Sequence, residues 1–229
     1  LRQNRNRQRR NSRMESLNPP PPNAIIGDTD YYARGVFVDD NKFLKTSDFI
    51  RVLLDAVAKV EVRDDDGKSI FLDEAILQLR TLCRDADAKD RTVRFIGNGG
   101  SAALASHMAI DYTKNANIRA TAFNDAPTLS CLGNDYGFEE IFSKQLEYYA
   151  QRGDVIIIIS SSGASPNILK AAEEAFAEGL DLITFSGMSP ENPLRRKGIL
   201  RFWVPATDYG IIELSHLILL HSVVSITTP

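Results

Sequence analysis

The sequence predicts an α/β protein with a doubly wound, five-stranded parallel sheet flanked by helices. In the second half of the chain, short apolar runs alternate with amphipathic stretches. Runs such as VIIII at 155–159 carry no polar residue on either face. Strands of this kind are typical of a parallel sheet that helices cover on both sides. The 229 residues are 43% hydrophobic and 25% charged, which is the composition of a globular domain with a full core.

The predicted strands and helices follow one another in alternation, as a doubly wound sheet requires. The predicted strands cover residues 93–97, 118–123, 155–160, 180–186 and 200–205. The predicted helices that go with them cover residues 101–114, 138–151, 165–178 and 211–226. Because ligands of such sheets bind at the carboxyl ends of the strands, candidate site residues are expected there.

Two further amphipathic helices are predicted before the first of these strands. Residues 46–63 carry an apolar stripe at helical spacing, and residues 72–86 carry a second one. The DDDG sequence at 64–67 predicts a turn between them. Since one sheet cannot bury both faces of such a pair, we expect these N-terminal helices to serve oligomerisation.

Residues 1–45 lie outside this pattern. They begin with an arginine-rich stretch that holds no acid, and they include PPPP at 19–22. We interpret residues 1–45 as a basic, Pro-rich and poorly ordered extension, and residues 46–229 as the domain. An arm for RNA or membrane is the alternative for the arginines. The formal net charge of −3 gives the whole chain no bias toward nucleic acid or an anionic membrane.

The composition also bears on location. No apolar run approaches the ~20 residues that a membrane-spanning helix needs. No apolar stretch follows the basic N-terminus, as a signal peptide would require. Cys83 and Cys131 lack metal-type spacing, and a disulfide framework is not expected. These features predict a cytoplasmic protein that does not enter the membrane.

Two turns rich in serine and glycine stand where predicted strands give way to helices. GNGGS at 97–101 offers free backbone N–H groups at a helix start, which suits an anion. It matches neither the dinucleotide fingerprint nor the P-loop, and the alternative is a plain tight turn. SSSGASPN at 160–167 repeats the arrangement, although Ser165 there is also placed to cap a helix that begins at Pro166. Together the two turns favour a site for a phosphate monoester.

All three histidines of the chain lie on two predicted helices, together with candidate carboxylates. His107 and Asp111 are four residues apart and share a helix face. Glu213 and His221 are eight apart, about 80° around a helix, so they can converge on one ion. His216 lies some 140° from His221 and is not expected to share its site. Two imidazoles with carboxylates suit zinc or another first-row divalent ion; the alternative is that these are core or interface histidines.

The stretch 126–142 predicts a loop after the second strand of the series, because GND and YG are turn sequences. Asp135 in this loop is placed to hydrogen-bond a polyol. The alternative is that Asp135 caps a helix that begins near Phe138.

Several of these segments resemble one known family. GNGGSA…H…D, LSCLGNDYGFEEIFSKQLE, GDVIIIISSSGASPNILKA and the closing E…H helix together resemble the sugar isomerase (SIS) domain, and within it the phosphoheptose isomerases. The resemblance runs from about residue 46 to the end. It implies the SIS fold, a homotetramer, and conversion of sedoheptulose 7-phosphate to glycero-manno-heptose 7-phosphate. The alternative is a non-catalytic SIS module that binds phosphosugars as a regulator or adaptor.

The resemblance also implies roles for individual residues. It implies zinc bound by His107, Asp111, Glu213 and His221, with acid/base roles for Asp111 and His221. The family has glutamate at the position of Asp111 and glutamine at that of Glu213, and ATDYGIIEL before the last helix does not match its pattern. The implied phosphate and sugar site consists of Asn98, Gly99, Gly100, Ser101, Asp135, Ser160, Ser161, Ser162 and Ser165.

Overall fold

A mixed sheet of seven strands runs through the part of the chain that the computed structural model describes, which is Phe43 and residues 45–225. Its strands are β1 Glu61–Asp64, β2 Ser69–Ile70, β3 Val93–Gly97, β4 Ala120–Ala122, β5 Val155–Ser160, β6 Asp181–Ser186 and β7 Leu200–Trp203. The extension predicted for residues 1–45 lies, except for Phe43 and Lys45, outside the described residues.

Seven α-helices accompany the sheet in these residues. They are α1 Thr46–Ala58, α2 Leu72–Ala88, α3 Gly99–Asn115, α4 Ala126–Tyr136, α5 Ser143–Tyr149, α6 Pro166–Ala177 and α7 Tyr209–Ser225. Short 3₁₀ helices cover Phe138–Glu140 and Pro193–Arg196. Among the described residues, none of the helices combines the length and the apolar character that crossing a bilayer requires.

The predicted five-stranded parallel sheet is confirmed. The strand order is β2-β1-β7-β6-β5-β3-β4, and every neighbouring pair from β7 to β4 is parallel. One core cluster, with Met108 of α3 and Leu220 of α7, covers one face of the sheet. A second cluster, with Leu146 of α5 and Ile168 of α6, covers the other. The domain is therefore doubly wound, and the five VIIII residues lie fully buried between its layers.

The direction of winding changes between β3 and β5. From β3 the chain passes through α3 on one face of the sheet to β4, which lies on the side of β3 away from β5. From β5 the chain passes through α6 on the opposite face to β6, which lies on the side of β5 away from β3. The carboxyl ends of two such strands form the crevice in which ligands of doubly wound sheets bind.

The amino ends of the same two strands are joined by a buried carboxylate. Asp154 accepts hydrogen bonds from the backbone N–H groups of Thr92, at 2.8 Å, and Gln151, at 3.0 Å. The Nε atom of Arg94 donates to the second oxygen of Asp154 at 2.7 Å. Every one of these groups lies within four residues of a strand start, so the carboxylate fixes how β3 and β5 begin.

The helix predicted over 46–63 is wrong in its last turn. The helix ends at Ala58, and Glu61–Asp64 instead forms β1, which pairs antiparallel with β7 and with β2. The VEVR sequence alternates apolar and polar side chains, and the buried Val62 packs into the core. The predicted turn is present: Gly67 has a φ of 83°, and Asp64 accepts a hydrogen bond from the N–H of Lys68.

The loop predicted over 126–142 is also wrong, because most of it is helix α4. Asp125 accepts a hydrogen bond from the N–H of Thr128 at 2.9 Å, and proline stands in the first turn. These are helix-start signals that outweigh the turn-forming GND sequence. The helix predicted over 138–151 is in turn shortened, since the chain forms a 3₁₀ turn before α5 begins at Ser143.

Candidate active site at the carboxyl edge of the sheet

The two Ser/Gly turns meet at the crevice where the winding changes direction. β3 and β5 are direct neighbours, with Gly97 paired to Ile159. The turn after β3 leads into α3, and the turn after β5 leads into α6. Ser101 and Ser160 are 4% and 6% exposed. The sequence prediction placed both turns at strand ends, and the structure makes those strand ends adjacent.

The first turn is built on close backbone approach. A Cβ atom on Gly97 would lie 2.7 Å from the backbone carbon and oxygen of Ser101, so no side chain fits there. Gly99 has a φ of 52°, which favours glycine. Asn98 precedes the helix without a side-chain cap, so no capping side chain occupies the first backbone N–H groups of α3. Such N–H groups, together with the helix dipole, attract an anion.

The second turn presents hydroxyl groups beside the start of α6. The Oγ atom of Ser160 accepts from the N–H of Gly163 at 3.1 Å, and that of Ser162 accepts from Ala164 at 3.4 Å. The Oγ atom of Ser161 is buried without a hydrogen-bond partner. Ser165 stands at the position before α6, but its side chain makes no capping bond. These serines remain our candidates for the phosphate site.

Three of the four predicted metal ligands lie together between α3 and α7. The Nε2 atoms of His107 and His221 are 3.1 Å apart. The Oδ2 atom of Asp111 lies 3.8 Å from Nε2 of His107 and 3.5 Å from Nδ1 of His221. The carboxylate is largely buried, whereas the imidazoles are partly open to solvent.

The geometry of this trio suits a first-row divalent ion. Each residue offers one ligand atom, and these atoms all lie within 4.8 Å of one another. Tetrahedral zinc with bonds of about 2.0–2.1 Å holds its ligand atoms roughly 3.3 Å apart. Two imidazole nitrogens that face each other need a proton or a cation between them, because two lone pairs repel. A set of three protein ligands also leaves the fourth position that catalytic zinc sites keep open.

Glu213, the fourth predicted ligand, does not join the trio. Its carboxylate lies over Gly100 instead: a Cβ atom on that glycine would lie 2.5 Å from Oε1 and 2.6 Å from Oε2. The structure thus places Glu213 beside the first turn of α3. The sequence predicts that Glu213 and His221 converge on one ion, but in the structure the Glu213 side chain extends toward the anion turn.

His216 lies apart from the trio, as the helical angle predicts. It is fully buried, and its Nε2 lies 3.1 Å from the backbone carbonyl oxygen of Ser186. Its ring meets Phe185 edge-on at a centroid distance of 5.8 Å. Burial lowers the pKa of His216 from 6.5 to about 4, and the hydrogen bond to Ser186 only partly opposes the shift. His216 is therefore a neutral core histidine near neutral pH.

Asp135 lies on α4 and not in the predicted loop. Its Oδ1 accepts a hydrogen bond from the amide of Asn134 at 2.8 Å, and its Oδ2 lies 3.6 Å from the thiol of Cys131. This neighbour raises the pKa of the exposed Cys131 thiol. Asp135 makes no capping bond to the 3₁₀ turn at Phe138, so that alternative is not met.

One residue of the crevice was missed by sequence reasoning. Asn167, in the first turn of α6, exchanges two hydrogen bonds of 2.9 Å each with Asn98. Asn167 stands inside the SSSGASPN segment, yet the sequence holds no signal that pairs it with an amide 69 positions earlier.

Comparison with known proteins identifies the family of this chain. A model of the SIS domain family matches residues 71–187. The phosphoheptose isomerase of Burkholderia pseudomallei is 36% identical over 165 residues, which are 68% of this chain and 83% of that protein. That of Fusobacterium nucleatum is 36% identical over 143 residues, or 59% of this chain and 72% of that protein. The solved structure of phosphoheptose isomerase GmhA from Neisseria gonorrhoeae superposes with a TM-score of 0.65 at 27% identity, covering 77% of this chain and 94% of that one. The chain therefore belongs to the SIS domain family, and its similarity falls on the phosphoheptose isomerases of that family.

Proposed function

We propose that this chain is a zinc-dependent aldose–ketose isomerase that interconverts sedoheptulose 7-phosphate and glycero-manno-heptose 7-phosphate. One observation carries the proposal: the anion turn and two members of the trio, His107 and Asp111, share helix α3. Ser101 and His107 are six residues apart, or about 9 Å along the helix axis. A phosphate held at the first turn of α3 therefore leaves the far end of a sugar chain beside the trio.

The two Ser/Gly turns have the task of holding the phosphate. The hydroxyl groups of Ser101, Ser160, Ser162 and Ser165 and the N–H groups of both helix starts are donors for its oxygens. The phosphate takes no part in the reaction, so its binding energy serves to orient the carbonyl end. Asn98, Gly99 and Gly100 shape this end of the site, and Ser161 and Asp135 complete the proposed contacts.

The trio has the task of moving a proton between C1 and C2 of the sugar. Asp111 has two carboxylate oxygens, and His221 has a second ring nitrogen, so each can bind an ion and still exchange a proton. We assign Asp111 and His221 as the acid/base residues, with His107 as a ligand. Zinc bound by these three residues would polarise the carbonyl group of the sugar.

We also propose that the chain acts as a homo-oligomer, a tetramer by analogy with its family, and that it is cytoplasmic. Helices α1, α3 and α7 leave large apolar side chains partly uncovered, and such exposed faces favour contact with another subunit. Two free cysteines support a reducing compartment. The side chains in question are Ile50, Leu54, Ile110, Leu214 and Ile218.

The decisive experiment follows the proton. The purified chain, loaded with Zn²⁺, is mixed with sedoheptulose 7-phosphate in deuterated water, and the sugar is analysed by NMR. We expect deuterium at C1 or C2 and formation of an aldose phosphate, and we expect both to be lost in His107→Ala. A chain that binds the sugar phosphate without exchanging deuterium would be a binding module. Absence of exchange with this and every other ketose phosphate would refute the isomerase.

A further inference from the structure

We infer that Asn98 and Asn167 form a positioning pair that holds the two Ser/Gly turns around one phosphate. The inference rests on the proposed function and adds a residue, Asn167, that no sequence pattern assigns to the site. Each side-chain amide donates to the other's carbonyl oxygen, and both hydrogen bonds are 2.9 Å long. Asn167 is only 2% exposed, so water does not compete for these bonds.

The pair connects the starts of two helices of opposite layers. Asn98 stands directly before α3, and Asn167 is the second residue of α6. These helices pack on opposite faces of the sheet. The two amides therefore reach across the carboxyl edge of the sheet, from one layer to the other, and set the separation of the two turns.

The hydrogen bonding of Asn98 supports a role beyond local structure. Asparagine at this position normally accepts a hydrogen bond from the first turn of its own helix. Asn98 makes no such bond and uses its amide on Asn167 instead. The helix start consequently keeps its N–H groups for another acceptor. A phosphate that touches both turns needs these N–H groups free and the two turns at a fixed distance.

The pairing predicts a specific defect when it is removed. Leucine has nearly the shape of asparagine but cannot hydrogen-bond, so Asn167→Leu deletes the pair and keeps most of the packing. We expect the affinity for inorganic phosphate to fall, and KM for sedoheptulose 7-phosphate to rise, about tenfold, as loss of a buried hydrogen-bonded partner predicts. We expect kcat to change less than about twofold and zinc content to stay the same, because the trio is untouched.

The experiment compares the full zinc-loaded chain with four variants by calorimetric titration of phosphate and by steady-state kinetics. Gln145→Leu is the matched control, since Gln145 is a buried amide on α5 whose Nε2 atom donates to the Ile141 carbonyl. Asn98→Ser breaks the pair from its more exposed end, in case Asn167→Leu does not fold. Asn98→Ser combined with Asn167→Leu should bind phosphate about as weakly as Asn167→Leu alone, because the pair is already lost in that variant.

The outcomes separate this inference from the proposed function. If wild type binds phosphate and isomerises the sugar while Asn167→Leu and Asn98→Ser keep wild-type KM, the positioning pair is refuted and the function stands. The same holds if Gln145→Leu raises KM as much as Asn167→Leu does. If wild type neither binds phosphate nor acts on the sugar, both are refuted.

Discussion

His216 makes the stability of this protein depend on pH in a defined window. The imidazole is fully buried, with Nε2 near the Ser186 carbonyl and with Nδ1 lacking a partner. Protonation would place a charge and an unsatisfied N–H in the core, which is why the pKa falls to about 4. The unfolded chain keeps a histidine pKa of about 6.5.

The sign and size of the effect follow from these two pKa values. Above pH 6.5 the residue is neutral in both states, and its contribution to stability is constant. Between pH 6.5 and about 4 only the unfolded chain takes up the proton, so the free energy of unfolding falls as the pH falls. At about 1.4 kcal/mol for each pH unit, the full loss is about 3 kcal/mol, of which about 2 kcal/mol is reached by pH 5.

The assay is urea unfolding at a fixed protein concentration between pH 7 and pH 4, for wild type and for His216→Gln. Glutamine can still donate to the Ser186 carbonyl but does not titrate. The carboxylates and the histidines of the trio contribute equally to both proteins, so their contributions cancel in the difference between the two free energies of unfolding. We expect wild type to lose about 2 kcal/mol more than the variant between pH 7 and pH 5. A difference that stays constant with pH would refute the burial argument.

Three further outcomes are expected from single substitutions. Asp154→Ala removes the carboxylate partner of Arg94 and the acceptor of two backbone N–H groups, so we expect a loss of about 3–5 kcal/mol in the urea-derived free energy of unfolding; an unchanged midpoint would contradict this. Gly97→Ala forces a Cβ atom onto the backbone of Ser101, and we expect at least ~2 kcal/mol of destabilisation with loss of phosphate binding in calorimetry, whereas a wild-type titration would show that the turn can relax. In His107→Ala we expect elemental analysis to find well below one zinc ion per chain. The melting temperature of the metal-free variant should stay within a few degrees of that of the metal-free wild type. Zinc retained at one ion per chain would show that His107 is not a ligand.

The central architecture was accessible from the sequence because its signals are local and strong. β5 is apolar on both faces, and the sequence prediction bounds it at the same residues, 155–160, as the structure does. The prediction failed where two local signals conflict. In residues 60–64 a helical stripe continues into a strand that only its pairing with β7 explains. In residues 126–136 the cap at Asp125 outweighs turn-forming residues near the end of the helix.

The sequence predicted the kinds of residues in the site but not their full arrangement in space. Spacing along α3 placed His107 beside Asp111, and spacing along α7 separated His216 from His221. Each of these relations lies within a single helix, so the sequence is enough to predict it. The approach of His221 to them depends on how α7 lies against α3, which spacing along one helix does not fix. The same limit applies to Glu213, whose side chain lies over Gly100, and to the pairing of Asn98 with Asn167.

The carboxylate of Asp154 bears on how this domain can move. It ties the starts of β3 and β5, while the amides of Asn98 and Asn167 tie the segments that follow their ends. A pair of strands that is fastened at both ends resists sliding of one strand along the other. We therefore expect the crevice to behave as a stiff frame. Native-state hydrogen exchange would register this as slow, concerted opening of β3 and β5.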